Sequence, residues 1–263
     1  MKNWPNTASR DLSALLLPGL TLLLVLILWE ALVHLSRVEA WILPGPIAIA
    51  QALWEAKGLL WLHSLQTIYE TLLGLTIAVV AGIVIATLID WSQGLRKAVY
   101  PLLIISQTIP IIAVAPLLII WFGYGLLPKV LVVALVCFFP ITVNLADGYR
   151  TVDPDMIRLM SAMGAKPREV FRMVKLPASL PFFFSGLRIA GTYSVMGAVI
   201  GEWLGASRGL GIFMTRASKS YLTDQVFASI FVITGLSLVI FLFIEGLARI
   251  AMPWHYRQKE TVL

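Results

Sequence analysis

Charge is what this sequence has least of. Asp, Glu, Lys and Arg make up 13% of its 263 residues, against about a quarter in a soluble domain. That scarcity leaves no room for a solvated catalytic domain. There is one cysteine, Cys137, inside an apolar run, so no intrachain disulfide can form and the residue reads as small packing. The histidines His34, His63 and His255 are scattered, and none stands at metal-ligand spacing from another His or from the cysteine. No nucleophile, base and orienting group cluster along the chain, so neither a catalytic residue nor a metal site is expected. The G-x4-G-K-[ST] phosphate loop is missing as well, so the chain does not hold ATP in that manner. Internal repeats and low-complexity segments are also lacking.

What is abundant is apolar surface. The chain is 59% hydrophobic, with a mean hydropathy of +0.88. This is the composition of an all-α membrane protein with about six transmembrane helices, which take up nearly its whole length. We place the spans at about 12–35, 69–90, 98–122, 128–146, 180–203 and 226–250, in a single transmembrane domain covering residues 1–263, with a polar loop at 147–179. The first run is too long for a signal peptide and no A-x-A site follows it, so it reads as a retained span. Leu43-Pro44-Gly45-Pro46 is a turn, followed by an interfacial helix on which Trp54 and Trp61 suit the membrane boundary. The second span carries Gly74, Ala78, Ala81 and Gly82 for close helix packing. The third contains Pro101, Pro110 and Pro116 and is expected to be kinked or broken. Broken backbone within a membrane is tolerated where protein or a water-filled cavity covers it.

Net charge is +6, and the basic residues cluster beside the spans, which points to orientation and lipid contact rather than nucleic acid. With the amino terminus inside, Lys2, Arg10, Arg96, Lys97, Arg257, Lys259 and the six Lys and Arg of residues 150–175 lie on the cytoplasmic side, twelve in all. Arg37, Lys57, Lys129, Arg208, Arg216 and Lys219, six residues, fall outside. The asymmetry favours a cytoplasmic amino terminus.

The longest polar interruption is residues 155–177. Met156, Leu159, Met160 and Met163 recur at helical spacing and give a short helix one apolar, methionine-rich side. Gly164 ends that helix and Pro167 opens a second, which is expected to stop at Leu176-Pro177. Read from these residues alone, the device is either a docking element or an amphipathic pair lying on the headgroups.

Ionisable residues inside spans are costly and therefore informative. Arg188, in the fifth span, either pairs with Asp147 or snorkels to the interface. Glu202 and Glu30 end their spans on the outer side and read as interface or partner contacts rather than proton carriers. Polar uncharged residues are the candidates for a solute path: Gln107 and Thr108 before Pro110, Asn144 in the fourth span, Ser194 and Met196 in the fifth. The alternative for Gln107 and Thr108 is helix–helix hydrogen bonding. Gly197-x3-Gly201 reads as packing. The segment 204–225 carries Arg208, Arg216 and Lys219 and is either a contact for an external protein or a solvated loop.

The loop resembles the signature of ABC importer permeases, roughly E-A-A-x3-G-x9-I-x-L-P. Gly164, Val174, Leu176 and Pro177 fit the back half at the right spacing, with Pro181, Gly186, Leu187 and Arg188 continuing it, whereas Arg158, Leu159 and Met160 stand where the family has Glu-Ala-Ala. Further pieces resemble the nitrate/sulfonate/taurine-type branch: Leu28-Trp29-Glu30, Ile42-Leu43-Pro44-Gly45-Pro46, His63-Ser64-Leu65, Ala115-Pro116-Leu117-Leu118 and Trp121-Phe122-Gly123-Tyr124-Gly125. Gly201-Glu202-Trp203-Leu204-Gly205-Ala206, with Lys219-Ser220-Tyr221, resembles the members that handle pyrimidine precursors of thiamine.

The resemblance implies a type I ABC importer permease fold in the bacterial cytoplasmic membrane. It implies a homodimer with two ABC ATPase subunits and an extracytoplasmic solute-binding protein, with ATP and Mg used by the ATPase and no cofactor held by this chain. It also implies that the loop is the coupling helix, with Asp155, Leu159, Met160, Met163, Gly164, Ala165, Val174, Leu176 and Pro177 on the ATPase side. An ion-gradient-driven secondary transporter is the rival reading. It requires mid-membrane carboxylates, and none is apparent in the sequence. A non-transporting scaffold and a membrane enzyme fit the residues less well.

Overall fold

The computed structural model describes residues 8–36 and 38–256, with side chains from residue 16 onward. Of the basic residues used above for orientation, Lys2, Arg37, Arg257 and Lys259 and the side chain of Arg10 lie outside the described residues. The described residues form helices joined by short turns: α1 (Ala8–Ser36), α2 (Pro46–Glu55), α3 (Lys57–Trp91), α4 (Gln93–Ser106), α5 (Ile111–Phe122), α6 (Leu126–Arg150), α7 (Pro154–Ala162), α8 (Pro167–Val170), α9 (Leu176–Trp203), α10 (Leu210–Lys219) and α11 (Thr223–Ala251). A π-helical turn, Phe171–Lys175, joins α8 to α9. The all-helical architecture is the one expected from the composition.

Five helices are long and apolar enough to cross a membrane, and the count reaches six if α4 and α5, bent by 100° at their break, form one crossing. The break falls at residues 107–110, where Pro110 can donate no backbone hydrogen bond.

The chain packs as two units, one holding the residues up to Leu59 with Met214–Ile230, the other Leu60–Phe213 with the residues from Phe231. In the first, Gly45 and Pro46 open α2, and Glu30 Oε2 accepts a hydrogen bond from Ile47 N at 3.1 Å. Glu30 thus caps the start of α2 from a distance in sequence. Trp54 of this unit is 71% exposed, as interfacial residues are, and so is Trp61 of the second unit, at 66%.

The second unit is built around α6. Its core gathers Ala78 of α3, Val133, Cys137 and Ile141 of α6, Phe184, Leu187 and Ala190 of α9, and Ile244 of α11. Helices of an apolar layer gain little from hiding oil from oil, so they associate through close fit. Small residues of α3 and α9 provide it. A Cβ on Gly74 would collide with Val133, and one on Gly82 would sit 2.9 Å from Ile141 Cγ2. On α9, a Cβ on Gly197 would lie 3.2 Å from Val133 Cα, and one on Gly201 3.1 Å from Lys129 Cα. Cys137 is fully buried, with its Sγ 3.3 Å from the Ala190 carbonyl.

One expectation is corrected here. Leu176-Pro177 does not stop the second short helix. It opens α9, because Pro177 falls in the first turn, where a missing N–H costs little.

A close approach to the backbone of α6 gives a stability test. A Cβ at Gly186 would sit 2.5 Å from the Pro140 carbonyl oxygen, whereas the space around Gly246 is open to 4 Å. Gly186→Val should therefore cost about 1–3 kcal/mol, and Gly246→Ala should stay within about 0.5 kcal/mol of the parent. Thermal unfolding in detergent reads both; equal transitions for the two variants would refute the packing account.

Candidate functional site

The polar loop is a fixed object rather than a loose connection. Asp153 caps α7, its Oδ1 accepting from Asp155 N at 2.9 Å. At the other end Ala165 N donates to the Met160 carbonyl and Gly164 N to the Ser161 carbonyl, both at 3.0 Å. This is a Schellman closure with Gly164 at its left-handed position, φ +86°. Nothing lies within 4 Å of where a Gly164 Cβ would be, so the backbone angle, not crowding, reserves the place for glycine. Glu169 Oε2 accepts from Lys166 N at 2.7 Å and starts α8.

One exposed stripe of α7 is apolar. Met156, Leu159 and Met163 are 49%, 57% and 75% exposed. Met160, Ala165, Val174 and Pro177 are half-buried, while Asp155 and Leu176 are exposed. The inner side covers a cleft of about 660 Å³ lined by Thr87, Asp90, Trp91, Ile157, Arg168 and Phe171, among others. Lys175 Nζ lies 2.8 Å from Asp90 Oδ2, tying the loop to the end of α3. The Tyr149 and Phe171 rings meet at 5.4 Å between centroids. Arg158 and Asp155 pair at 3.2 Å, but both are 81% exposed, and such a pair contributes little.

A second cleft, of about 350 Å³, opens at the α4–α5 break. Of the proposed path residues, Gln107 and Thr108 line it together with Phe139, Pro140 and Tyr193. The Thr108 hydroxyl donates to the Ile105 carbonyl at 2.7 Å. Asn144 and Ser194 are not brought to it. The Asn144 amide donates to the Pro140 carbonyl at 2.8 Å, and the buried Ser194 hydroxyl donates to the Gly191 carbonyl at 2.7 Å. Met196 is 44% exposed and also lies outside the lining. The aromatic members Phe139 and Tyr193 escaped the sequence reading because aromatics are common on any span. No charged residue is in the lining.

The structure changes the reading of three charged residues. Arg188 pairs with Glu245 of α11, Nε to Oε2 at 3.0 Å, and its Nη2 donates to Tyr256 Oη at 3.1 Å. Asp147, whose pairing with Arg188 was the alternative to snorkelling, accepts from Tyr100 Oη at 2.9 Å instead. Lys129 is not an outer-loop cation: it is buried in α6, 2.7 Å from Glu70 Oε1, which also accepts from Gln66 Nε2 at 2.7 Å. Glu202 is fully buried, not interfacial. Its Oε2 accepts from Gly211 N at 2.6 Å and its Oε1 from Thr67 Oγ1 at 2.7 Å. Glu70 went unnoticed in the sequence because it sits at a span boundary, where carboxylates are ordinary. In segment 204–225, Leu210–Lys219 is helical, and Arg208, Arg216 and Lys219 are exposed.

The Lys175–Asp90 tie generates a test. Asp90→Ala or Lys175→Ala leaves a largely buried charge without its partner and should lower stability by about 1–3 kcal/mol. The exchange Asp90→Lys with Lys175→Asp should recover most of the loss in a double-mutant cycle read by thermal unfolding. No recovery would mean that the contact is incidental.

The comparisons with known proteins fit this arrangement. Residues 74–254 match the model of the family described as the binding-protein-dependent transport system inner membrane component. A formylaminopyrimidine transport permease of Halalkalibacterium halodurans is 39% identical over 242 residues, covering 92% of this chain and 96% of the relative. A riboflavin transport system permease of Chloroflexus aurantiacus is 36% identical, with 89% and 88% covered. A taurine transport system permease of Escherichia coli is 30% identical, again with 89% and 88% covered. Among solved structures, an inward-facing methionine ABC transporter superposes with a TM-score of 0.62 at 18% identity, covering 78% of this chain and 97% of that one. The match over most of the chain, with the broken helix pair and the clasped loop, makes this a multi-pass membrane protein of the binding-protein-dependent ABC transport permease family.

Proposed function

We propose that the chain is the permease half of an ATP-driven importer that carries a small aromatic heterocycle of the aminopyrimidine class. It works as a homodimer in the cytoplasmic membrane, with its amino terminus inside. Two ABC ATPase subunits, which use ATP and Mg, drive it, and an extracytoplasmic solute-binding protein supplies it. The observation that carries the reading is the exposed Met156, Leu159 and Met163 face on a helix closed at both ends and joined to α9 through helical turns. A soluble partner with an apolar groove fits that face, and the excess of basic residues on this side of the spans supports a cytoplasmic location. Arg208 in the second unit, and Arg216 and Lys219 in the first, are exposed cations for an acidic binding protein to meet.

The class of solute rests on the α4–α5 cleft. Gln107, Thr108 and Tyr193 offer hydrogen bonds and Phe139 a ring face, and the lining has no cation. A sulfonate or nitrate path calls for a cation or helix amino termini aimed at the anion. The 39% identical relative is named for a formylaminopyrimidine, which agrees with the uncharged lining. The ion-driven alternative lacks support from the family and leaves the clasped loop without a purpose.

Native mass spectrometry of the complex drawn from its own cells should show two permeases with two copies of one ATPase. A lone permease, where a known ABC complex survives in parallel, would overturn the reading. Cells should take up a labelled aminopyrimidine and not taurine, and the reverse preference would overturn the choice of solute. Gly164→Leu forces a side chain into a left-handed backbone angle at about 1–2 kcal/mol and should cut solute-stimulated ATP hydrolysis at least tenfold without loss of membrane insertion. Gly164→Asn, which tolerates that angle, should retain most of it.

A further inference from the structure

The first N–H groups of a helix have no partner within it and need a cap or water. At the start of α10 each of three is met by a side chain. Gly209 N donates to His63 Nδ1 at 2.9 Å, Leu210 N to Thr67 Oγ1 at 2.9 Å, and Gly211 N to Glu202 Oε2 at 2.6 Å. Two of these acceptors belong to α3, more than 140 residues away in sequence. The Thr67 hydroxyl passes its own hydrogen to Glu202 Oε1 at 2.7 Å, so one oxygen joins α3, α9 and α10. Thr67 and Glu202 are fully buried and His63 is 7% exposed. One turn further along α3, Glu70 binds Lys129 and brings in α6. Hydrogen bonds gain strength away from water, and a buried N–H that loses its partner is costly. The start of α10 therefore cannot shift on α3 without breaking buried hydrogen bonds.

We propose that His63, Thr67 and Glu202 are positioning residues that clamp the α9–α10 turn to α3. Docking of the solute-binding protein on that turn, where Arg208 is exposed, is then passed to α3 and α9 as one movement. The proposal rests on the reading of Arg208 as a binding-protein contact.

The test uses the complete transporter with its co-purifying binding protein, reconstituted in vesicles. Three quantities are read: hydrogen exchange at the Gly209, Leu210 and Gly211 amides, basal ATP hydrolysis, and hydrolysis against binding-protein concentration. Thr67→Val keeps the shape and removes the bonds to Glu202 and from Leu210, together with the longer contact to the His63 carbonyl at 3.2 Å. It should speed exchange about tenfold and lower the maximal stimulated rate about tenfold, with the basal rate and the half-saturating concentration unchanged. Thr67→Ser should restore all readings. Arg208→Glu should raise the half-saturating concentration about tenfold while the maximum holds.

Unchanged exchange in Thr67→Val, or faster exchange with normal stimulation, overturns the clamp. A parallel fall of basal and stimulated rates makes it merely structural and overturns it too. If Arg208→Glu is without effect while Thr67→Val behaves as stated, the contact reading fails and the clamp stands. Should Thr67→Val not reach the membrane, Glu202→Gln, which keeps one acceptor oxygen, should give the same pattern at about threefold, and its absence overturns the proposal.

Discussion

An apolar layer offers no hydrogen bonds, so every polar group carried into it must find its partner within the protein. That constraint orders the long helices here. Hydroxyls on their exposed sides bond back to their own helix, as Thr76 does to the Leu72 carbonyl and Thr87 to Ile83. The costlier groups reach across helices: Glu70 to Lys129, Arg188 to Glu245, Glu202 to Thr67 and the start of α10. Each such pair selects one alignment of two helices, which apolar packing alone specifies loosely. Charge is scarce in this chain, and much of what there is inside the helices serves as alignment.

The same economy explains why the two ends of the second packing unit differ. At one end the glycine approaches to α6 and the Glu70–Lys129 pair lock α3, α6 and α9 together. At the other the clasped loop keeps a cleft of about 660 Å³ beneath it and is tied by Lys175 to Asp90. Close packing resists relative motion, and a cleft spanned by a salt bridge permits it. A transporter needs both a stiff body and a place to be pushed.

The helices were legible in the sequence because long apolar runs leave little choice of structure. So was the glycine closure: the methionine periodicity followed by Gly164 marks both the helix and its end. The prolines that break α4 from α5 marked the place of the cleft that Gln107 and Thr108 line. The pairings were not legible. Nothing local tells Arg188 that its partner is Glu245 rather than Asp147, since the choice depends on how α9 meets α11. Lys129 read as an outer-loop cation, and Glu70 drew no notice, because burial is a property of the assembled bundle. The α10 helix was read as a loop for a related reason: its cap comes from His63 and Thr67, far away in the chain. Asn144 and Ser194 bond to the turn behind them, which sequence spacing does not reveal.

The π-helical turn between α8 and α9 has a consequence for register. An α-helix advances about 100° per residue, and a π turn holds one residue more than the α-helical turn it replaces. Phe171–Lys175 therefore sets the azimuth of the short helices against that of the 28-residue α9. If the turn tightens to α-helical bonding, the loop swings around the α9 axis while α9 keeps its seat. The extra residue of that turn thus fixes the rotational setting of the loop on the helix that follows it.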